Sequence, residues 1–184
     1  MDLEGGMRNA LLRYEEVFGA LRGEQFYDVR IAGFTDRDER VPRFTPLGRQ
    51  VYLTMDSGDL LLLESLGNHG QLGIRRVADY EFPHELDGED EEFTVGSCGP
   101  QYLGDLTDQS VLAVRYVLNA ESDPVTGTVR CAEFAFAYGQ RLFVDPGYHW
   151  GIRLQGAGAY EAWLAEEREN PAPLGPLTDH LWTP

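Results

Sequence analysis

Lysine is absent from this chain: all 15 basic side chains are arginine. That excludes chemistry built on an amine. A Walker A loop sets its lysine on nucleotide phosphates, and pyridoxal phosphate enzymes and Schiff-base aldolases need a lysine to form the imine. Isoleucine is almost as rare, confined to Ile31, Ile74 and Ile152, while arginine, glycine and alanine are frequent. Such a bias is expected of a GC-rich bacterial or phage genome. Cysteine occurs only at Cys98 and Cys131, far apart and in no CxxC or Cys/His cluster. Two isolated thiols are too few for a disulfide scaffold or a zinc site, so both are read as small reduced core residues. No HExxH, HxH or paired zinc-ligand spacing occurs, and neither a metal nor a cofactor is expected. No uncharged apolar run approaches the roughly 20 residues of a membrane helix. The opening Met1-Asp2-Leu3-Glu4-Gly5-Gly6 lacks the basic and apolar regions of a secretory signal, so a reducing cytoplasm is the expected compartment.

Positive charge is scarce as well, 15 bases against 31 acids, for a net charge of −16. A surface of that sign repels nucleic acid phosphates, which excludes direct DNA or RNA binding and favours a basic protein partner. A chain of 184 residues suffices for one domain with its own core.

The apolar residues Met7, Ala10, Leu11, Tyr14, Val17, Phe18 and Leu21 recur at three- and four-residue spacing, which predicts an amphipathic helix over residues 7–22 ended by Gly23. From there to about residue 154 the period shortens toward two. Strands are predicted over 25–32, 51–55, 60–63, 71–77, 111–118, 129–138, 141–144 and 149–154, with a polar loop over 35–48. Asp56-Ser57-Gly58-Asp59 supplies the turn of one hairpin and Gly139-Gln140 that of another, the latter with Phe134, Phe136 and Tyr138 on one face. Tyr160, Trp163 and Leu164 mark a second helix that stops before Pro171. The expected fold is therefore α+β: a mostly antiparallel curved sheet of about six to eight strands, with an N-terminal and a C-terminal helix packed on one face. Residues 1–170 form the single domain and 171–184 an extended Pro-rich tail, in which Trp182 either docks on the body or is disordered like most termini.

Half of the net charge falls in residues 79–92, which hold Asp79, Glu81, Glu85, Asp87, Glu89, Asp90, Glu91 and Glu92 and no arginine. No frame there supplies the Asp, Gly and Glu positions of an EF-hand loop. The segment reads either as a solvated loop or as a mimic of a phosphate backbone offered to a basic groove. Asp145-Pro146-Gly147-Tyr148-His149-Trp150 joins a carboxylate, an imidazole and two aromatics in one turn, the composition of a partner-binding anchor. His69 has weaker support, and Arg75-Arg76, the sole adjacent basic pair, is expected in internal ion pairs. Two motif-like stretches fail on their frames. Gly156-Ala157-Gly158-Ala159-Tyr160-Glu161 puts Glu where a dinucleotide turn needs its third glycine, with too little chain after it to return a crossover. Gly96-Ser97-Cys98-Gly99 lacks the residue a nucleophile elbow places between glycine and serine.

The functional expectation is an acidic, non-catalytic binding protein that neutralises a basic partner such as a toxin, nuclease or other nucleic-acid enzyme by steric and electrostatic blockade. Its contacts are expected at Glu85, Asp87, Glu89, Asp90, Glu91, Glu92, Tyr148, His149 and Trp150. In composition alone, the chain is similar to bacterial immunity proteins of polymorphic toxin systems, and a phage-encoded inhibitor would share the outline. The alternative expectation is a small-ligand binder or enzyme with a pocket around His149 and Asp145. A structural subunit or adaptor is a third.

Overall fold

The computed structural model describes residues 14–36, 40–67, 70–88, 90–103, 109–147, 151–169 and 175–184. Among these, eleven strands and three short helices are present. The strands are β1 (Gln25–Thr35), β2 (Phe44–Met55), β3 (Leu60–Leu66), β4 (Gln71–Val77), β5 (Glu92–Ser97), β6 (Gln109–Leu118), β7 (Thr128–Val129), β8 (Cys131–Phe136), β9 (Arg141–Asp145), β10 (Arg153–Gln155) and β11 (Thr178–Trp182). The helices are α1 (residues 14–19), α2 (Gly99–Leu103) and α3 (Ala159–Glu169).

All strand pairings named here are antiparallel, in the order β10-β9-β8-β6-β1-β2-β3-β4-β7, with β5 added to β1 and β11 added to β6. Only Arg130 separates β7 from β8, and its N–H donates to the Val117 carbonyl of β6 at 2.8 Å. The path therefore returns to itself, and the sheet curls into a barrel-like ring. Two pairings of two residues each complete the ring: Gln25 and Phe26 with Ser110 and Gln109, and Leu72 and Gly73 with Val129 and Thr128.

Strand alternation explains where the core sits. Val51, Leu53 and Met55 of β2, Leu61 and Leu63 of β3, Val114 and Tyr116 of β6, and Phe134 and Phe136 of β8 all point inward. Tyr14, Phe18 and Leu21, on and just beyond α1, cover this interior, and Trp182 of β11 joins them. The residues between face outward into two smaller apolar clusters. Val117, Cys131 and Phe143 lie under Tyr160, Trp163 and Leu164 of α3. On the other side, Ala32, Tyr52, Leu60 and Leu62 lie under Tyr80 and Phe93.

This architecture corrects the expectation of six to eight strands with two helices on one face. The count is eleven because β5 and β11 lie in acidic and Pro-rich sequence with little alternation, where no strand is expected, and because the strand expected over 129–138 is divided at Arg130 into β7 and β8; the strand expected over 149–154 is present as β10. The helices serve different clusters: α1 packs on the interior of the ring and α3 on its outside. The loop predicted over 35–48 is shorter, since β1 continues to Thr35 and β2 begins at Phe44. Tyr138 also leaves its predicted place. β8 ends at Phe136, and the turn Ala137–Gly139 puts Tyr138 in the left-handed region (φ 59°, ψ 21°), with its side chain 84% exposed.

The β4–β7 junction depends on Gly127. Its φ is +69°, its carbonyl accepts the Ile74 N–H at 3.1 Å, and a Cβ there would lie 2.4 Å from the Ile74 oxygen. Gly127→Ala is expected to cost about 2–3 kcal/mol from the left-handed conformation and the clash together. Urea unfolding measures it, and a loss below about 0.5 kcal/mol would mean that the junction is not built as described.

Candidate functional site

The acidic segment is an anchored surface. Tyr52, buried in β2, accepts the Glu81 N–H at 3.1 Å, and its ring meets Tyr80 edge-on at 5.0 Å. Pro83 and Leu86 are buried beneath a single 3₁₀ turn, His84–Leu86. Some of the charge is consumed internally: Glu81 forms a two-bond pair with Arg75, which holds its carboxyl below the usual range. Glu85 lies 3.6 Å from Arg49, whereas Asp87, 3.3 Å from the exposed His84, stays at the surface. Arg75-Arg76 is thus spent on ion pairs, as expected from sequence, Arg76 with Asp59 at 2.5 Å and Glu24 at 3.1 Å.

The same segment also displays exposed carboxylates and an exposed aromatic. Asp87, Asp90 and Glu92 are exposed and Glu91 is partly buried, while Glu89 lies outside the described residues. Among them Phe82 is 52% exposed, resting edge-on against Phe93 at 5.8 Å. Phe93 belongs to β5, which pairs only with β1 among the described residues.

Tyr148, His149 and Trp150 lie outside the described residues, as does His69, but the chain flanking the former three is placed. Ser65 donates to the Pro146 carbonyl at 3.3 Å, and the Ile152 N–H donates to the Gly48 carbonyl at 2.6 Å. Arg49, next to Gly48, reaches both Gly67 and Glu85. Pro146 and Ile152, and the acidic segment at Glu81 and Glu85, therefore all meet β2 or β3. Asp145 is not a free pocket carboxylate. It is buried, accepts the Gly147 N–H at 3.0 Å and an Arg153 hydrogen bond at 3.0 Å, and lies 3.6 Å from Arg130. Arg130 in turn donates to the Gly70 carbonyl, approaches Glu167 at 3.4 Å and covers the Trp163 ring at 5.0 Å.

Cys98 is half-buried and its Sγ donates to the Val29 carbonyl at 3.2 Å; burial and the nearby Asp28 push its thiol up to about 11. At neutral pH it is protonated and a poor nucleophile. Burial also raises the Cys131 thiol well above its usual range. The turn at residues 156–158 leads into α3 as a strand-to-helix connection. Among the described residues, no three or more His, Cys, Asp or Glu side chains converge on a metal-sized site.

Sequence reasoning missed Glu133. It projects from the outer face of β8, 3% exposed, at the floor of a cavity of about 350 Å³ bounded by β6, the β8–β9 turn and the first turn of α3. Arg115 and Arg141 approach its carboxylate at 3.8 and 4.0 Å, beyond hydrogen-bonding distance. Burial, then Glu161, raises its pKa against the pull of both arginines. Alternation with Phe134 and Phe136 put Glu133 on the outer face, but no local signal said that α3 would cover it.

No helix among the described residues is long and apolar enough to cross a membrane. Comparison with protein-family models, with curated proteins and with solved structures returned no match.

Proposed function

We propose that this chain is an acidic, non-catalytic binding protein of a reducing cytoplasm that blocks a basic protein partner, with the outward carboxylates of residues 79–92 as its contact face. One observation carries the reading: exposed carboxylates, Asp87, Asp90 and Glu92, share with an exposed aromatic, Phe82, a segment that is held to the body by the Glu81 N–H on Tyr52 and by its own buried Pro83 and Leu86. Pinning lowers the entropy lost on binding, an aromatic anchor supplies desolvated contact area, and the acids steer a basic partner. Tyr148, His149 and Trp150 belong to the proposal as a second contact, since the chain on either side of them meets β2 or β3, as the acidic segment does. Immunity proteins and phage inhibitors work through blockade of this kind, and the partner sought is a toxin, nuclease or other nucleic-acid enzyme with a basic groove.

The test begins with capture of the partner from host lysate at low and high salt, followed by stopped-flow association. Reversing Asp87, Asp90, Glu91 and Glu92 to arginine is expected to slow association roughly tenfold or more at low salt and to flatten its dependence on ionic strength. Phe82→Ala is expected to act on dissociation instead. An unchanged association rate in the charge-reversed variant would remove this face from the interface.

A further inference from the structure

The Glu133 cavity is separate from the acidic face and carries its own chemistry. Glu133 differs from the other buried carboxylates. Asp28 receives hydrogen bonds from Ser97, Gly99 and Arg30, and Asp145 from Gly147 and Arg153. Among the described residues nothing donates to Glu133; its two nearest cations stop at 3.8 and 4.0 Å. Glu133 lines the cavity, so a donor that enters through its mouth can reach this largely buried carboxylate and offset the cost of its burial. A ligand with a charged donor would supply a hydrogen bond of the stronger, charge-assisted kind.

The surrounding charges narrow the choice of ligand. Arg115 is already engaged: it pairs with Glu161, lies 3.7 Å from Asp179 and stacks on the Tyr160 ring at 4.0 Å. Arg141 is less committed, with one N–H on the Gln140 carbonyl at 2.9 Å and its guanidinium facing the same cavity. A carboxylate that needs a donor therefore sits beside a guanidinium with N–H groups to spare. The lining charges, Arg115 and Arg141 against Glu133 and Glu161, cancel, so a purely anionic or purely cationic guest meets one repulsive partner at close range. A guest with both signs on adjacent atoms satisfies both. Ala113, Ala135 and Gly139 keep the floor and wall small, and Leu181, 65% exposed, forms an apolar lip.

We propose that this cavity binds a free amino acid, its ammonium donating to Glu133, its carboxylate accepting from Arg141 and its side chain lying toward Leu181. Isothermal titration calorimetry on the full chain tests this with L-serine, L-leucine, L-glutamine and L-arginine as probes, and with ethylamine and acetate as half-ligands. At least one amino acid is expected to bind with a dissociation constant between roughly 10 µM and 1 mM, and neither half-ligand within tenfold of it. Glu133→Gln and Arg141→Gln are each expected to weaken binding about tenfold or more. Ala157→Phe, at the exposed rim, blocks the mouth without touching either charge, and keeps the test decisive if Glu133→Gln does not fold. No heat from any of the four amino acids at about 10 mM, acetate or ethylamine binding as tightly as the amino acid, or binding that survives both Arg141→Gln and Ala157→Phe, would each overturn the proposal.

Discussion

Trp182→Ala is expected to lower stability by about 3–5 kcal/mol, a large fraction of the 5–15 kcal/mol typical of a domain. Trp182 is 2% exposed and joins the interior cluster, 5.9 Å from the Phe18 ring and 5.9 Å below the Arg22 guanidinium. It stands on β11, directly opposite Val114 of β6. Truncation to alanine leaves a cavity bordered by α1 and β6, and it also loosens the strand that carries it. A second substitution separates packing from hydrogen bonding. Among the described residues the buried indole N–H has no hydrogen-bond partner, so Trp182→Phe keeps most of the contact area without breaking a hydrogen bond to any of them. Its expected cost is under about 2 kcal/mol. Equilibrium urea unfolding measures both, and equal losses would mean that filling the interior is not what Trp182 does.

Arg130→Ala is expected to cost a similar amount, about 3–5 kcal/mol, for an electrostatic reason. The guanidinium is enclosed between the Gly70 carbonyl, Asp145, Glu167 and the Trp163 ring, and its side chain is 9% exposed. Removing it strips a buried carboxylate, Asp145, of one of two cations and leaves the Gly70 carbonyl without its donor. Arg130→Lys is expected to recover less than half of the loss, because one ammonium cannot reach three acceptors and lie over an indole as a planar fork does. Thermal and urea unfolding of the two variants decide the point; full recovery by lysine would reduce the site to a point charge.

Much of the framework was legible because its signals are local. The β2–β3 hairpin follows from Val51, Leu53 and Met55 alternating before Asp56-Ser57-Gly58-Asp59, and Leu60 to Leu63 is continuously apolar because both faces are covered. The β8–β9 hairpin was readable for the same reason, up to Tyr138, which a tight turn withdraws from the strand. What stayed hidden depends on neighbours distant in sequence. β7 is two residues long and exists only because β4 lies beside it; β11 exists because β6 has a free edge there. α3 has a clear apolar stripe, but a stripe does not say which face of the sheet it will meet. Glu133 is one acid among 31, distinguished only by what covers it. The acidic segment was visible at once, whereas its division into spent and displayed carboxylates required knowing where Arg49 and Arg75 stand.

The two short junctions that complete the ring have a kinetic meaning. The hairpins β2–β3, β3–β4 and β8–β9 join residues close in the chain and need little loop entropy to form. The pairings of Gln25 and Phe26 with Ser110 and Gln109, and of Leu72 and Gly73 with Val129 and Thr128, bring together residues separated by several whole strands, for two residue pairs each. Long-range closure of that kind yields little until the apolar interior is already gathered. The hairpins are thus expected to form before the ring, whose closure draws on the burial of Phe18, Tyr116 and Trp182 more than on the few hydrogen bonds at the junctions themselves.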